Sequence, residues 1–138
     1  MSKIVVGIDG SQASEHALDF ACAEAKLWDA ELHVVHAWTY PYHGRRASAK
    51  EPRELMERDA TEELRQATER ASRAGVNVVS QLAEGAPVAV LVAAAEDADL
   101  LVVGSHGHGS VIGSLLGSTS QAIIHRARCP VAVVRTAG

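Results

Sequence analysis

Cysteine and aromatic residues are scarce in this 138-residue chain, and positive charge is not in excess. The two cysteines, Cys22 and Cys129, stand far apart, and neither sits in a metal-ligand spacing. That excludes a disulfide scaffold and fits a reducing compartment, with each thiol acting as a small buried apolar group. One Phe, two Trp and two Tyr cannot fill a core. The interior must be aliphatic, drawn from the Val, Leu, Ile and Ala that supply most of the 47% hydrophobic content. Net charge is −4 with His neutral, and Lys and Arg are scattered among acids, so nucleic acid is not expected as a partner. Long apolar runs are missing too. The opening MSKIVVGIDG breaks at a turn too early for a secretion signal or a membrane span. The expectation is one soluble cytoplasmic domain, residues 1–138, burying roughly two-thirds of its unfolded surface.

What is present alternates. Lys3 to Ile8 is a short β-branched run ended by Asp9-Gly10-Ser11, and it reads as a buried strand. A helix follows over 12–28, with Ser11 as N-cap and Ala17, Phe20, Ala21, Glu24 and Leu27 on one face; Glu24 is the polar exception. Residues 32–37 form a second strand. Residues 38–51 have no period and carry Pro41, Gly44, Arg45 and Arg46, the mark of a surface loop. Pro52 opens a long helix that Gly75 closes, with Ala60, Leu64, Ala67 and Ala71 as its apolar stripe. Its dense Glu and Arg residues read as a solvated face with i, i+4 pairs. Then come a strand over 76–82, a helix from Pro87 to about Glu96 and a fully apolar strand over 100–103. A helix over 118–126 and a last strand over 131–135 complete the chain.

Strands alternating with helices predict an α/β fold, doubly wound, with an open parallel five-stranded sheet and helices on both faces. Ligands of such folds sit beyond the carboxyl ends of strands, where strand order reverses. Two strand ends carry polar glycine-bearing turns: Asp9-Gly10-Ser11, and the stretch from Gly104. If the first and fourth strands are neighbours, both turns line one crevice.

The second turn, GSHGHGSVIGSLLGSTSQ over 104–121, holds five of the eleven glycines. Backbone without Cβ atoms brings its own N–H groups close to a phosphate. Gly117 stands directly before Ser118, Thr119 and Ser120, at a helix N-terminus whose unpaired N–H groups favour an anion. Ser118 and Gln121 fit a capping box. No Lys or Arg lies in the stretch, so it is no Walker A loop. Gly107, Gly109 and Gly113 are spaced one residue wide of a dinucleotide fingerprint and follow the wrong strand. A triphosphate would need a divalent metal, with Asp9 as a ligand, or a cation such as Arg45, Arg46 or Lys50. Asp9 is equally suited to a ribose hydroxyl. Each glycine alone is explained by a turn or cap; two such turns at matched strand ends favour a ligand. The His106-x-His108 pair lacks the further ligands that zinc requires. Ser105-His106 lacks a nucleophile elbow, which argues against an esterase. His33 and His36 read as hydrogen-bonded structural residues of the second strand.

These residues together resemble the universal stress protein family, in its ATP-binding branch. Gly104, Gly107, Gly117 and Ser118 match the family pattern G-x2-G-x9-G-[S/T], Val6 to Ser11 its first strand and turn, 33–37 its second strand, and Cys129-Pro130-Val131 its last. The match runs through the chain except over 39–55. The resemblance implies strand order 3-2-1-4-5. It implies base and ribose contacts from Gly7, Ile8, Asp9, Ala37 and Val103, and phosphate contacts from Gly104, His106, Gly107, Gly117, Ser118, Thr119 and Ser120. It further implies ATP, with Mg held through Asp9, in a stress-response regulatory protein that hydrolyses ATP slowly if at all. Other members bind AMP or cyclic AMP, and some serve as dimerising partner-binding modules without nucleotide. A homodimer through the last strand and a protein partner of unknown identity are expected.

Overall fold

The computed structural model describes residues 1–40, 52–105 and 116–136. Arg45, Arg46 and Lys50, and likewise His106, Gly107 and His108, lie outside the described residues. The element order is β1 (Lys3–Ile8), α1 (Gln12–Trp28), β2 (Glu31–Trp38), α2 (Arg53–Arg73), β3 (Val78–Glu84), α3 (Pro87–Ala94), β4 (Leu100–Gly104), α4 (Ser118–Arg126) and β5 (Val131–Val134). The strands form one parallel sheet in the order β3-β2-β1-β4-β5, as expected. Strand order reverses between β1 and β4, and both of their carboxyl ends carry the polar turns.

Alternation along each central strand splits the core in two. Ile4, Val6, Leu32, Val34, Leu100 and Val102 face α1 and α2. Val5, Val35, Leu101 and Val103 face α3 and α4, where they meet Leu91 and Ile123. Strands buried on both faces read as continuous apolar runs. β3 departs from that pattern: it is an edge strand with Ser80, Gln81 and Glu84 exposed, and it begins two residues later than its composition suggests.

Helix α1 follows its predicted bounds and its predicted cap, with Ser11 Oγ accepting from the Ser14 N–H at 3.2 Å. Its buried face is different. Ala13, Ala17, Leu18, Ala21, Cys22 and Ala25 meet the sheet, while Phe20 is 40% exposed and Leu27 75%. Alanines at every fourth position let the helix lie close to the sheet, and a bulky Phe does not fit beneath it. α2 buries its predicted stripe of Ala60, Leu64 and Ala71, with Ala67 half-buried. Gly75 ends that segment with φ +85°, a left-handed conformation suited to glycine.

Candidate functional site

The turn after β1 is built from its own side chains. Gly10 adopts φ +82°, so the chain reverses where L residues are strained. Asp9 Oδ1 accepts the Ser11 N–H at 2.9 Å, and the Asp9 N–H donates to Ser14 Oγ at 3.3 Å. Ser14 Oγ in turn donates to the Ser11 carbonyl at 3.0 Å. Asp9 is thus held in an Asx turn by one oxygen, and its other oxygen has no partner among the described residues.

The end of β4 sits beside that turn. A Cβ on Gly104 would fall 2.9 Å from the Ala13 carbonyl carbon and 2.9 Å from its Cβ, so glycine lets α1 start directly over β4. Hydrogen bonds join Ser105 to the start of the last helix. The Gly117 N–H donates to the Ser105 carbonyl at 2.6 Å, and Ser120 Oγ lies 3.0 Å from both the Ser105 and Gly117 carbonyls. The Ser105 N–H donates to the Val134 carbonyl at 2.8 Å. Ser105 itself is buried, which removes it as an exposed nucleophile.

These contacts fix the start of α4. Gly117 is the N-cap, at φ −69° and ψ 162°, and no side chain caps the helix. The expected capping box does not form, because Ser118 is already helical and Gln121 Nε2 donates instead to the Leu116 carbonyl at 2.8 Å. The helical ladder begins with the Gln121 N–H on the Gly117 carbonyl, at 3.1 Å. The N–H groups of Ser118, Thr119 and Ser120 precede it and have no intrahelical acceptor.

A cavity of about 570 Å3 opens between these two turns. Gly7, Ile8, Asp9, Ala37, Val103, Gly104, Gly117, Ser118, Thr119 and Ser120 all line it, so every described residue of the expected set meets at one place. His106 and Gly107 of that set lie outside the described residues. The Ser120 hydroxyl is already engaged within the fold. No Lys or Arg is among the described residues of the lining. Among the described residues, no three His, Cys, Asp or Glu side chains cluster as a metal site either.

Other lining residues were not legible as site residues. Met56, Ala60 and Glu63 project from one face of α2, and His36 and Trp38 from β2. His36 is 5% exposed, and its Nε2 lies 2.7 Å from Glu63 Oε1. Near the mouth Arg53 pairs with Glu84 and lies over the Trp38 ring at 5.2 Å and the Tyr40 ring at 5.9 Å. The Arg53 hydrogen bond is the main reason the Glu84 carboxyl titrates below its ordinary range. In sequence Glu63 is one acid among many on a charged helix. The spacing of Met56, Ala60 and Glu63 at i, i+4 and i+7 is the only signal that could have singled it out.

Fold and site define a doubly wound α/β protein with a crevice at the point where strand order reverses, the place where such folds hold ligands. Residues 1–135 match the Universal stress protein family, and the chain belongs to that family. Universal stress protein Rv2005c of Mycobacterium tuberculosis is 40% identical over 136 residues, which are 96% of this chain; the chain spans only 45% of that relative's length. A universal stress protein solved in complex with cAMP is 32% identical, with TM-score 0.75 and coverage of 99% of this chain and 98% of its own. The universal stress protein from Archaeoglobus fulgidus in complex with dAMP is 27% identical, with TM-score 0.75 and coverage of 97% and 98%.

Proposed function

We propose that the protein binds an adenine nucleotide, ATP with Mg2+, in the crevice between the ends of β1 and β4, and that the bound nucleotide regulates its conformation or its choice of partner. The observation that carries this reading is the convergence of Asp9, Gly104 and the open N-terminus of α4 on one cavity. The apolar end, at Ile8, Ala37 and Val103, suits a base. Asp9 suits a ribose hydroxyl or the metal. Phosphates fit the unpaired N–H groups of Ser118, Thr119 and Ser120, where the partial positive charge of a helix end favours an anion. His106 and Gly107 complete the phosphate site in this proposal.

The donor set fits Mg2+ in one way only. With no cation among the described residues of the lining, a triphosphate brings more negative charge than the α4 N-terminus offsets. Mg2+ is ordinarily held by one or two carboxylates plus phosphate oxygens, and the free oxygen of Asp9 provides such a ligand. The two nucleotide-bound relatives, with cAMP and dAMP, support adenine as the base. Rapid hydrolysis is not part of the proposal. A homodimer through β5 is proposed as well: Val131 to Val134 are all half-buried, and Phe20 and Leu27 of α1 lie exposed.

Thermal unfolding with ATP, ADP, AMP and cAMP, each with and without Mg2+, tests the reading. A ligand at 100 times its Kd adds about 2.7 kcal/mol, which shifts Tm by roughly 4–10 °C in a domain of this size. No shift with any nucleotide at millimolar concentration would falsify it and favour a partner-binding module with an empty crevice.

A further inference from the structure

Glu63 occupies an unusual place for a surface acid. Its carboxylate lines the nucleotide cavity, and its relative side-chain exposure is 40%. A Cβ on Gly10 would fall 2.5 Å from its Oε2, so Oε2 lies directly against the turn that carries Asp9. Its Oε1 is held by His36 Nε2 at 2.7 Å. The carboxylate therefore sits between Asp9-Gly10 after β1 and His36-Ala37 on β2, where the ribose and base ends of the proposed ligand meet.

The chemistry of the pair is one-directional. An ionised carboxylate only accepts, so the shared hydrogen belongs to His36 Nε2. In the neutral ring this leaves Nδ1 as a buried lone pair, and Nδ1 has no hydrogen-bond partner among the described residues. A buried polar atom without a partner costs stability. The fold bears that cost in an arrangement whose visible product is a partly exposed carboxylate locked in one orientation. Among the described residues no arginine or lysine pairs with Glu63, and His36 is its hydrogen-bond partner. Other acids of the same helix, Glu62 and Glu69, are tied up by Arg65 and Arg73. An acceptor left open beside a ligand cavity is suited to a donor on that ligand.

Resting on the adenine-nucleotide reading, we infer that Glu63 is a specificity-determining residue that accepts a hydrogen bond from the ligand, with His36 as its positioning residue. The donor is an N–H or O–H at the base–ribose end: the exocyclic amine of adenine or a ribose hydroxyl. A carbonyl in place of the amine, or a missing hydroxyl, leaves a desolvated carboxylate without its donor. Discrimination by a hydrogen bond to a charged group amounts to roughly ten- to hundredfold in affinity.

The test is a cycle of ligand and protein changes read by isothermal titration calorimetry. ATP, ITP, 2′-deoxy-ATP and 3′-deoxy-ATP are titrated into the wild type, Glu63→Ala and Glu63→Gln. ITP lacks the amine and the deoxy analogues each lack one hydroxyl, so the arms separate the two donor sources. In the wild type one analogue binds at least about tenfold more weakly than ATP. In Glu63→Ala that same analogue and ATP bind alike. Glu63→Gln, nearly isosteric, keeps an oxygen on His36 and turns its NH2 toward the ligand, so the preference shrinks or inverts. Ratios identical in wild type and both folded variants overturn the inference while leaving nucleotide binding intact. A wild type that binds no nucleotide overturns the parent reading, and this one with it.

Discussion

Replacing Gly117 by serine should separate stability from ligand binding at the start of α4. Gly117 is an N-cap with φ −69° and ψ 162°, a conformation serine adopts freely and the one in which its hydroxyl caps a helix. Serine at an N-cap exceeds glycine by a few tenths of a kcal/mol, so the unliganded Tm should hold or rise by about 1 °C. The new Oγ would accept from the N–H of Thr119 or Ser120, the donors that the proposed phosphate site uses. Losing even one charge-assisted hydrogen bond of roughly 1.5–3 kcal/mol lowers affinity about ten- to hundredfold. Differential scanning fluorimetry gives the first quantity and calorimetric titration of ATP with Mg2+ the second. A folded Gly117→Ser protein with wild-type affinity would refute the placement of phosphates at the α4 N-terminus.

Gly104→Ala should act in the opposite way, because its Cβ would sit 2.9 Å from Ala13 and force α1 off the sheet. Overpacking of that kind costs about 1–3 kcal/mol, a fall of roughly 3–10 °C in Tm; a urea titration showing no loss would mean α1 yields without penalty. Acid stability should follow four exposed carboxylates. Glu62 is held at about 2, below its ordinary 4.5, chiefly by its hydrogen bond from Arg65. Asp99 is lowered by the backbone N–H groups of Lys3 and Ser2, Asp97 by Lys3, and Glu84 by Arg53. Groups lowered in the folded state stabilise it above their unfolded pKa and lose that contribution as pH falls through the folded value. Urea midpoints should therefore decline from about pH 4.5 toward about pH 2. Asp99→Asn should flatten part of that decline, and a curve that merely shifts down without changing shape would count against the assignment.

Much of the architecture was legible because short-range rules govern it. The β-branched runs of β1 and β4 have one way to be buried on both faces. Ser11 and the Pro52 and Gly75 pair mark helix ends by backbone chemistry that needs no distant partner. Strand order came from the family resemblance, since alternating elements alone do not say which strands are neighbours. The exposed positions of Phe20 and Leu27 and the exposed edge at β3 were not legible. They depend on how closely α1 approaches the sheet and on which strand ends up outermost.

At the site, the sequence by itself determined the two polar turns, because glycine, Asx-turn and N-terminal helix chemistry are local and carry their own signals. Only the tertiary structure decided that the turns meet across one cavity, that Gly104 is required by Ala13 packed against it, and that Glu63 joins them. The capping box illustrates the same divide: its spacing was present, but contacts from Ser105 and Leu116 moved the cap to Gly117. His36 and Glu63 are 27 residues apart and belong to different elements. Its helical spacing from Met56 and Ala60 is the one local mark that glutamate carries, and its chemistry exists only once α2 is laid across β2.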